Sequence, residues 1–359
     1  MHIVILADSV ATQNTGIHQY GKQLVRRILQ EMSDHQITLV TPEYLPEFDT
    51  PQLIVPVITW LPFHKKLRQL FTFARKIKKI KPDVVIELAH FGPFGLPLSI
   101  RQITVIHDLT PISHPSYHDA LSVFFHKRLL PGILKKSYKI ITNSKTTGKD
   151  LNRILGVPVE KLTVAYPSLL PSKQEDSQSE SPTDRHAPYF LTVGTIEPRK
   201  NHITIIKAFE SFCSQNEDHY LVITGKRGWK SAAFYQHYKR SPCRDRIILT
   251  EFVTDEQLTD LYTHSFAFVF ASAYEGFGLP ILEAMQAGIP LLLSRISSSQ
   301  EIVQENHALW FDPFDSEKLA NQMTDLVNSV ELQSTLIKAS KDSYRAYQAL
   351  PKKLSDVFE

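Results

Sequence analysis

The chain has 359 residues, 42% of them hydrophobic and 21% charged, with a net charge of +3. That length exceeds one ordinary hydrophobic core and predicts about two domains, and the composition excludes a disordered or fibrous chain. The charge is uneven, with 21 Lys+Arg against 12 Asp+Glu over 1–168 and 19 against 25 over 169–359; this favours an anionic partner for the front half and argues against a uniformly basic nucleic-acid binder.

The two cysteines, Cys213 and Cys243, have no metal-type spacing and are too few for a disulfide framework. They read as buried or incidental thiols in a reducing compartment. Residues Met1 to Leu6 read as a buried strand rather than a signal peptide, and no run of about 18 apolar residues occurs, so a cytoplasmic protein is expected.

Short apolar or β-branched runs at 2–8, 36–41, 52–58, 83–88, 103–107, 138–142 and 162–166 predict strands, and 16–31, 65–80, 119–136 and 145–155 predict helices. Such alternation predicts a mostly parallel sheet covered on both faces, with ligands at the carboxyl ends of the strands. The pattern stops in the Ser-rich, polar stretch of 169–188, which reads as a linker. A second set of strands is predicted at 189–194, 220–224, 246–250, 266–271 and 290–294. The expected organisation is therefore an N-terminal Rossmann-like domain at 1–168, a second domain at 189–340, and a last helix within 341–359 packing back on the first. The fold class is α/β, two Rossmann-like domains facing each other across a cleft.

Two segments carry the chemistry. After the run Phe266 to Phe270 come Glu275-Gly276-Phe277-Gly278-Leu279-Pro280-Ile281-Leu282-Glu283, a strand, a glycine turn and a helix entrance. Gly276 and Gly278 allow close backbone approach, Pro280 suits a first helical turn, and the free N–H groups there form an anion site. The two carboxylates can accept hydrogen bonds from sugar hydroxyls and from a ribose diol. After Val193 come Gly194-Thr195-Ile196-Glu197-Pro198-Arg199-Lys200-Asn201, where Arg199 and Lys200 offer a fork and a point charge to a diphosphate. Taken singly, the first segment is also what a glycine-capped helix with solvated glutamates looks like, and the second resembles an exposed basic pair before an Asn cap.

Together these segments resemble the retaining glycosyltransferases of family 4, group 1, which have the GT-B fold and include bacterial polysaccharide and lipopolysaccharide mannosyltransferases. Glu275 and Glu283 match the family's Glu-x7-Glu signature, and Gly194 to Asn201 its Gly-Thr-x-Glu-Pro-Arg-Lys-Asn segment. Gly16, Val105 to Pro111, Thr142-Asn143-Ser144 and Gly225 to Trp229 extend the likeness over nearly the whole chain. The resemblance implies that Glu275 binds donor-sugar hydroxyls beside the amides of Gly276, Phe277, Gly278 and Leu279, that Glu283 holds the ribose, and that Arg199 and Lys200 neutralise the diphosphate. It places the base near Phe252 and Val253, Gly194 and Gly16 close to the donor, and His107 in the sugar pocket. His18 stands where many relatives carry a second glycine.

The implied reaction is transfer of a hexose, mannose from GDP-mannose above others, with retention, to a growing surface glycan or a lipid-linked oligosaccharide. No cofactor or metal is expected, since two cations and a helix N-terminus can stabilise the leaving diphosphate and no Asp-x-Asp motif is present. A rhamnose or UDP-hexose donor, a nucleotide-sugar epimerase and a binding-only protein of the same fold are the alternatives. Residues 64–81 hold eight Lys+Arg and no acid on an amphipathic pattern; this reads either as a helix packed on the sheet with solvated lysines or as a contact for the anionic inner face of the cell membrane.

Overall fold

The computed structural model describes residues 1–11, 16–56, 72–92, 95–169, 187–350, 354 and 357–358. The chain divides into two compact units, one formed by Met1–Pro115, Asp119–Ser168 and Pro351–Glu359, the other by Ser116–His118 and Leu169–Leu350.

The first unit carries a seven-stranded, all-parallel sheet in the order β3-β2-β1-β4-β5-β6-β7. Its strands are β1 (His2–Leu6), β2 (Gln36–Thr41), β3 (Gln52–Ile54), β4 (Val84–Glu87), β5 (Arg101–Ile106), β6 (Lys139–Thr142) and β7 (Leu162–Val164). Unbroken apolar runs suit such a sheet because both faces are covered. Along β1, Ile3 and Ile5 enter one buried cluster while Val4 and Leu6 enter another on the opposite face. The covering helices include α1 (Asp8–Ala11), α2 (Gly16–Glu31), α3 (Phe73–Ile80), α4 (Thr110–Ser113), α5 (Ala120–Lys136) and α6 (Lys145–Leu155).

The second unit carries six parallel strands in the order β10-β9-β8-β11-β12-β13: β8 (Tyr189–Val193), β9 (Tyr220–Thr224), β10 (Ile247–Glu251), β11 (Ala267–Phe270), β12 (Leu291–Ser294) and β13 (Leu309–Phe311). Its helices are α7 (His202–Cys213), α8 (Ala232–Arg240), α9 (Asp255–His264), α10 (Leu279–Ala287), α11 (Ser297–Ile302), α12 (Ser316–Asn328) and α13 (Val330–Gln348). The edge strand β13 escaped the sequence reading because three residues are too short for a period to show.

Two expectations change. The last long helix is α13, which starts at Val330 and belongs to the second unit, where it lies against α10 and α12. What returns to the first unit is the tail beyond it, whose Leu354, Val357 and Phe358 join the core cluster of β1 and α2. Cys213 and Cys243 are not incidental thiols: they pair as a disulfide across 30 residues, Cα–Cα 6.8 Å, and so give no support to a reducing compartment. Residues 57–71, and with them most of the apolar pattern of the basic stretch, lie outside the described residues, as do 170–186 of the expected linker. Of the basic stretch, α3 buries Phe73 and Ile77 in the sheet's core and turns Arg75, Lys78 and Lys79 outward, so its apolar face is committed to packing. Among the described residues no helix is long and apolar enough to cross a membrane.

Candidate functional site

In the second sheet the chain runs from β8 outward through β9 and β10, then returns to lay β11 on the other side of β8. The loops leaving the carboxyl ends of β8 and β11 therefore splay apart at a topological switch point, the place where open parallel sheets bind ligands. Both chemistry-bearing segments are these loops.

The β8 loop makes a close approach to its neighbour before it turns. Gly194 and Gly225 both have positive φ, 152° and 155°, and a Cβ on Gly225 would run into the Gly194 carbonyl. Only glycine allows that contact. The chain then forms a single 3-10 turn, Pro198–Lys200, closed by Asn201 in the left-handed region. The Asn201 side-chain amide donates to the carbonyls of Ala271 and Pro313, and the Arg199 carbonyl accepts from the Ala273 amide at 2.9 Å. The β8 turn and the β11 loop are thus sewn together by their backbones.

That stitching brings Arg199, Lys200 and Glu275 into one cluster. The Arg199 guanidinium pairs with one oxygen of Glu275, Lys200 Nζ lies 2.6 Å from the other, and Ser272 Oγ donates to the same oxygen at 2.9 Å. Arg199 also donates to the Tyr274 carbonyl at 3.0 Å and to Glu197 Oε1 at 2.6 Å. Burial pushes the Glu275 carboxyl up, but Arg199 and Lys200 overcome this and hold it below the ordinary range. Immediately beyond, Gly278 at φ 115° caps α10 without a side-chain hydrogen bond to its first amides, leaving the positive end of the helix for an anion. Phe277 buries its ring against Tyr347, so only its backbone can serve a ligand.

Glu283, one turn into α10, stands apart from this cluster. The Tyr262 hydroxyl of α9 donates to its Oε2 at 2.7 Å, and burial raises its pKa despite that bond. Phe252 is 54% exposed with Lys226 Nζ 4.5 Å from its ring centre, and Val253 beside it is half-buried. The pair forms a flat, cationic platform at the end of β10.

His107 lies in the first unit, just past β5 and buried. Its Nε2 hydrogen-bonds the Leu88 carbonyl at 2.7 Å, which makes Nε2 the protonated nitrogen and Nδ1 an acceptor. Its amide donates to His90 Nε2 at 2.9 Å and the two rings stack at 5.3 Å. Burial lowers both histidines, His90 to about 3. Gly16 opens α2 at the carboxyl side of β1; residues 12–15 before it lie outside the described residues.

Residues 173–343 match the family described as Glycosyl transferases group 1, and residues 15–169 the one described as Glycosyltransferase Family 4. The chain belongs to the family 4, group 1 glycosyltransferases. Among its relatives, the O-antigen chain mannosyltransferase B of Escherichia coli is 30% identical over 64% of this chain and 63% of that protein. The O-antigen chain mannosyltransferase RfbU of Salmonella typhimurium is 28% identical over 61% and 59%. The chain therefore spans less than two thirds of the length of either relative. The fold is GT-B: the crystal structure of WaaG, a glycosyltransferase involved in lipopolysaccharide biosynthesis, superposes with a TM-score of 0.72 over 98% of this chain and 96% of that one at 14% identity. Sucrose-phosphate synthase from Thermosynechococcus elongatus gives 0.73 over 96% and 94% at 18%.

The residue pattern places Arg199, Lys200 and Glu275 at a common site, and they are in contact. It missed Tyr262 and Ser272, which orient the two glutamates from other elements and carry no motif of their own. It also passed over Glu197, which lay inside the quoted segment and was visible as a third carboxylate beside the basic pair.

Proposed function

We propose that the chain transfers a mannosyl group from GDP-mannose, with retention, to a growing surface glycan or lipid-linked oligosaccharide. The observation that carries the reading is the contact cluster of Arg199, Lys200 and Glu275 at the open end of α10. Two cations and a helix N-terminus suit a leaving diphosphate, and one such donor is worth about 3 kcal/mol of transition-state stabilisation. This set supplies the neutralising charge from the protein, so we infer a reaction without a metal cofactor. The mannose assignment is supported by the O-antigen mannosyltransferases among the relatives.

Glu275 acts by position in this scheme. Both its oxygens are already engaged by cations and by Ser272, an arrangement suited to accepting sugar hydroxyls rather than attacking an anomeric carbon. Retention then follows from entry of the acceptor on the face the phosphate leaves, with a phosphate oxygen taking the acceptor's proton. Glu283 holds the ribose, and the Phe252 and Lys226 platform faces the base. His107, neutral and with Nδ1 as acceptor, receives a sugar hydroxyl. The outward Arg75, Lys78 and Lys79 of α3 favour an anionic membrane inner face, where a lipid-linked acceptor resides.

A thermal-shift panel of GDP-mannose, UDP-glucose and dTDP-rhamnose on wild type and Arg199→Ala tests the donor. GDP-mannose should stabilise wild type through mass action and lose most of that shift in the variant. Stabilisation by none of the three overturns the reading.

A further inference from the structure

Glu197 touches the site from behind and has no role in the scheme above. It is 5% exposed. Its Oε1 accepts from Arg199 Nη2 at 2.6 Å, while Oε2 has no protein partner. Glu197 lines a cavity of about 140 Å³ together with Asn201, His202, Lys230, Ser231 and Phe234. His202, 3% exposed, likewise has an Nδ1 without a protein partner.

Charge counting makes this arrangement informative. Arg199 and Lys200 bring two positive charges and Glu275 one negative, all in contact. An ionised Glu197 would cancel what remains, leaving a neutral cluster where a dianionic diphosphate must dock. A buried carboxylate oxygen without a donor is also costly, whereas a carboxylic acid hydroxyl needs only an acceptor. Neutral His202 and a cavity with room for a few waters can supply one, each water taking about 30 Å³.

We propose that Glu197 is a positioning residue that works as the neutral acid: it aims the Arg199 guanidinium at the donor diphosphate without cancelling its charge. The inference rests on the donor-site reading above. Burial raises the Glu197 carboxyl, against the opposing pull of Arg199 and Lys200, while Glu275 on the same guanidinium is held low. Two carboxylates sharing one cation thereby have their ionisations pushed in opposite directions. The other charged groups facing Glu197 are Arg199 and Lys200 on its own turn, Glu275 on the β11 loop and Lys230 across the cavity. His202, lowered to about 3 by burial and by Lys200, stays neutral.

The test is calorimetric titration of GDP-mannose and of UDP-glucose into wild type, Glu197→Gln and Glu197→Ala across pH. Nucleotide sugars are the probe because their diphosphate lacks the second phosphate ionisation of a free nucleotide. As pH rises past the shifted ionisation, above the ordinary glutamate range, Glu197 gains its charge and wild type should bind more weakly, by about tenfold for a loss of about 1.4 kcal/mol. Glu197→Gln, which keeps an acceptor oxygen for Arg199 on the same arm without the charge, should bind as wild type does at the acid end and stay flat. Glu197→Ala, which removes the arm, should bind more weakly at every pH.

A Gln variant as weak as the Ala variant, with both melting as wild type does, overturns the proposal, because the ionised carboxylate is then required. Wild-type affinity that stays flat or strengthens as pH rises overturns it as well, and decides alone if Glu197→Gln does not fold. Failure of both donors to bind wild type at any pH removes the donor-site reading, and this inference with it.

Discussion

The Tyr262 hydroxyl donates to Glu283 Oε2 at 2.7 Å, so the second glutamate of the pair is oriented by a neighbouring helix before any ligand arrives. Tyr262→Phe removes that donor and leaves a buried oxygen without it, a loss of about 1–3 kcal/mol. Donor KM should rise about tenfold while kcat changes little, because Glu283 is assigned to the ribose and not to the reacting centre. Steady-state kinetics with a urea melt separates this from general destabilisation.

Glu275→Gln keeps the shape of the side chain and removes its charge from between Arg199 and Lys200. Free GDP should bind at least as tightly as in wild type, since the two cations lose their internal partner. Transfer should drop by about 10²-fold, the scale of losing one well-placed polar group in a site of this kind. Intact-mass measurement of wild type during turnover should show no glycosylated enzyme; a trapped adduct on Glu275 would restore the nucleophile.

Acid should weaken both units. His90 and His202 sit at about 3 in the folded chain against about 6.5 unfolded. The unfolded chain therefore takes up protons that the folded one refuses as pH falls below about 6.5, and stability declines by about 1.4 kcal/mol per pH unit for each histidine, down to about pH 3. Above about 6.5 neither state binds these protons and the contribution is flat. Denaturant melts from neutral pH downward should show the slope, and His202→Gln should remove one proton's worth of it from the second unit.

Gly225→Ala places a Cβ against the Gly194 carbonyl at φ 155°. The β8 turn must shift or the variant must unfold. A loss of about 1–3 kcal/mol is expected, with weaker donor binding because Lys200 packs directly over Gly194, 3.3 Å from where a Cβ there would stand. Calorimetry of the melting transition and of GDP-mannose binding reads both effects.

Much of this was legible in the residues. The strands at 36–41 and 220–224 and the helix at 145–155 fall where period and caps put them, with Ser144 accepting from the Thr147 amide and Gly156 closing the helix in the left-handed region. The contact of Arg199, Lys200 and Glu275 was legible because a glycine turn with a basic pair and a glycine turn with two spaced glutamates each follow a strand's carboxyl end. What stayed hidden depends on tertiary pairing. The hydroxyls of Tyr262 and Ser272 look like any others until α9 and the β11 loop are packed, and the disulfide partner of Cys213 lies 30 residues away with no spacing rule to announce it. The register of α13 was misjudged because a long amphipathic helix at a chain end carries no sign of which sheet it will cover.

The pairing of β8 with β11 also sets an order of events for a chain being synthesised. The basic pair at 199–200 emerges early with only Glu197 beside it, and Glu275 joins when Ala267 to Phe270 adds to the free edge of β8. A nascent chain ending before that addition presents two cations on an unfinished edge, attractive to any polyanion and selective for none. Contact between the basic pair and Glu275 is therefore a late event of the folding chain, and it reports that β11 has docked on the free edge of β8.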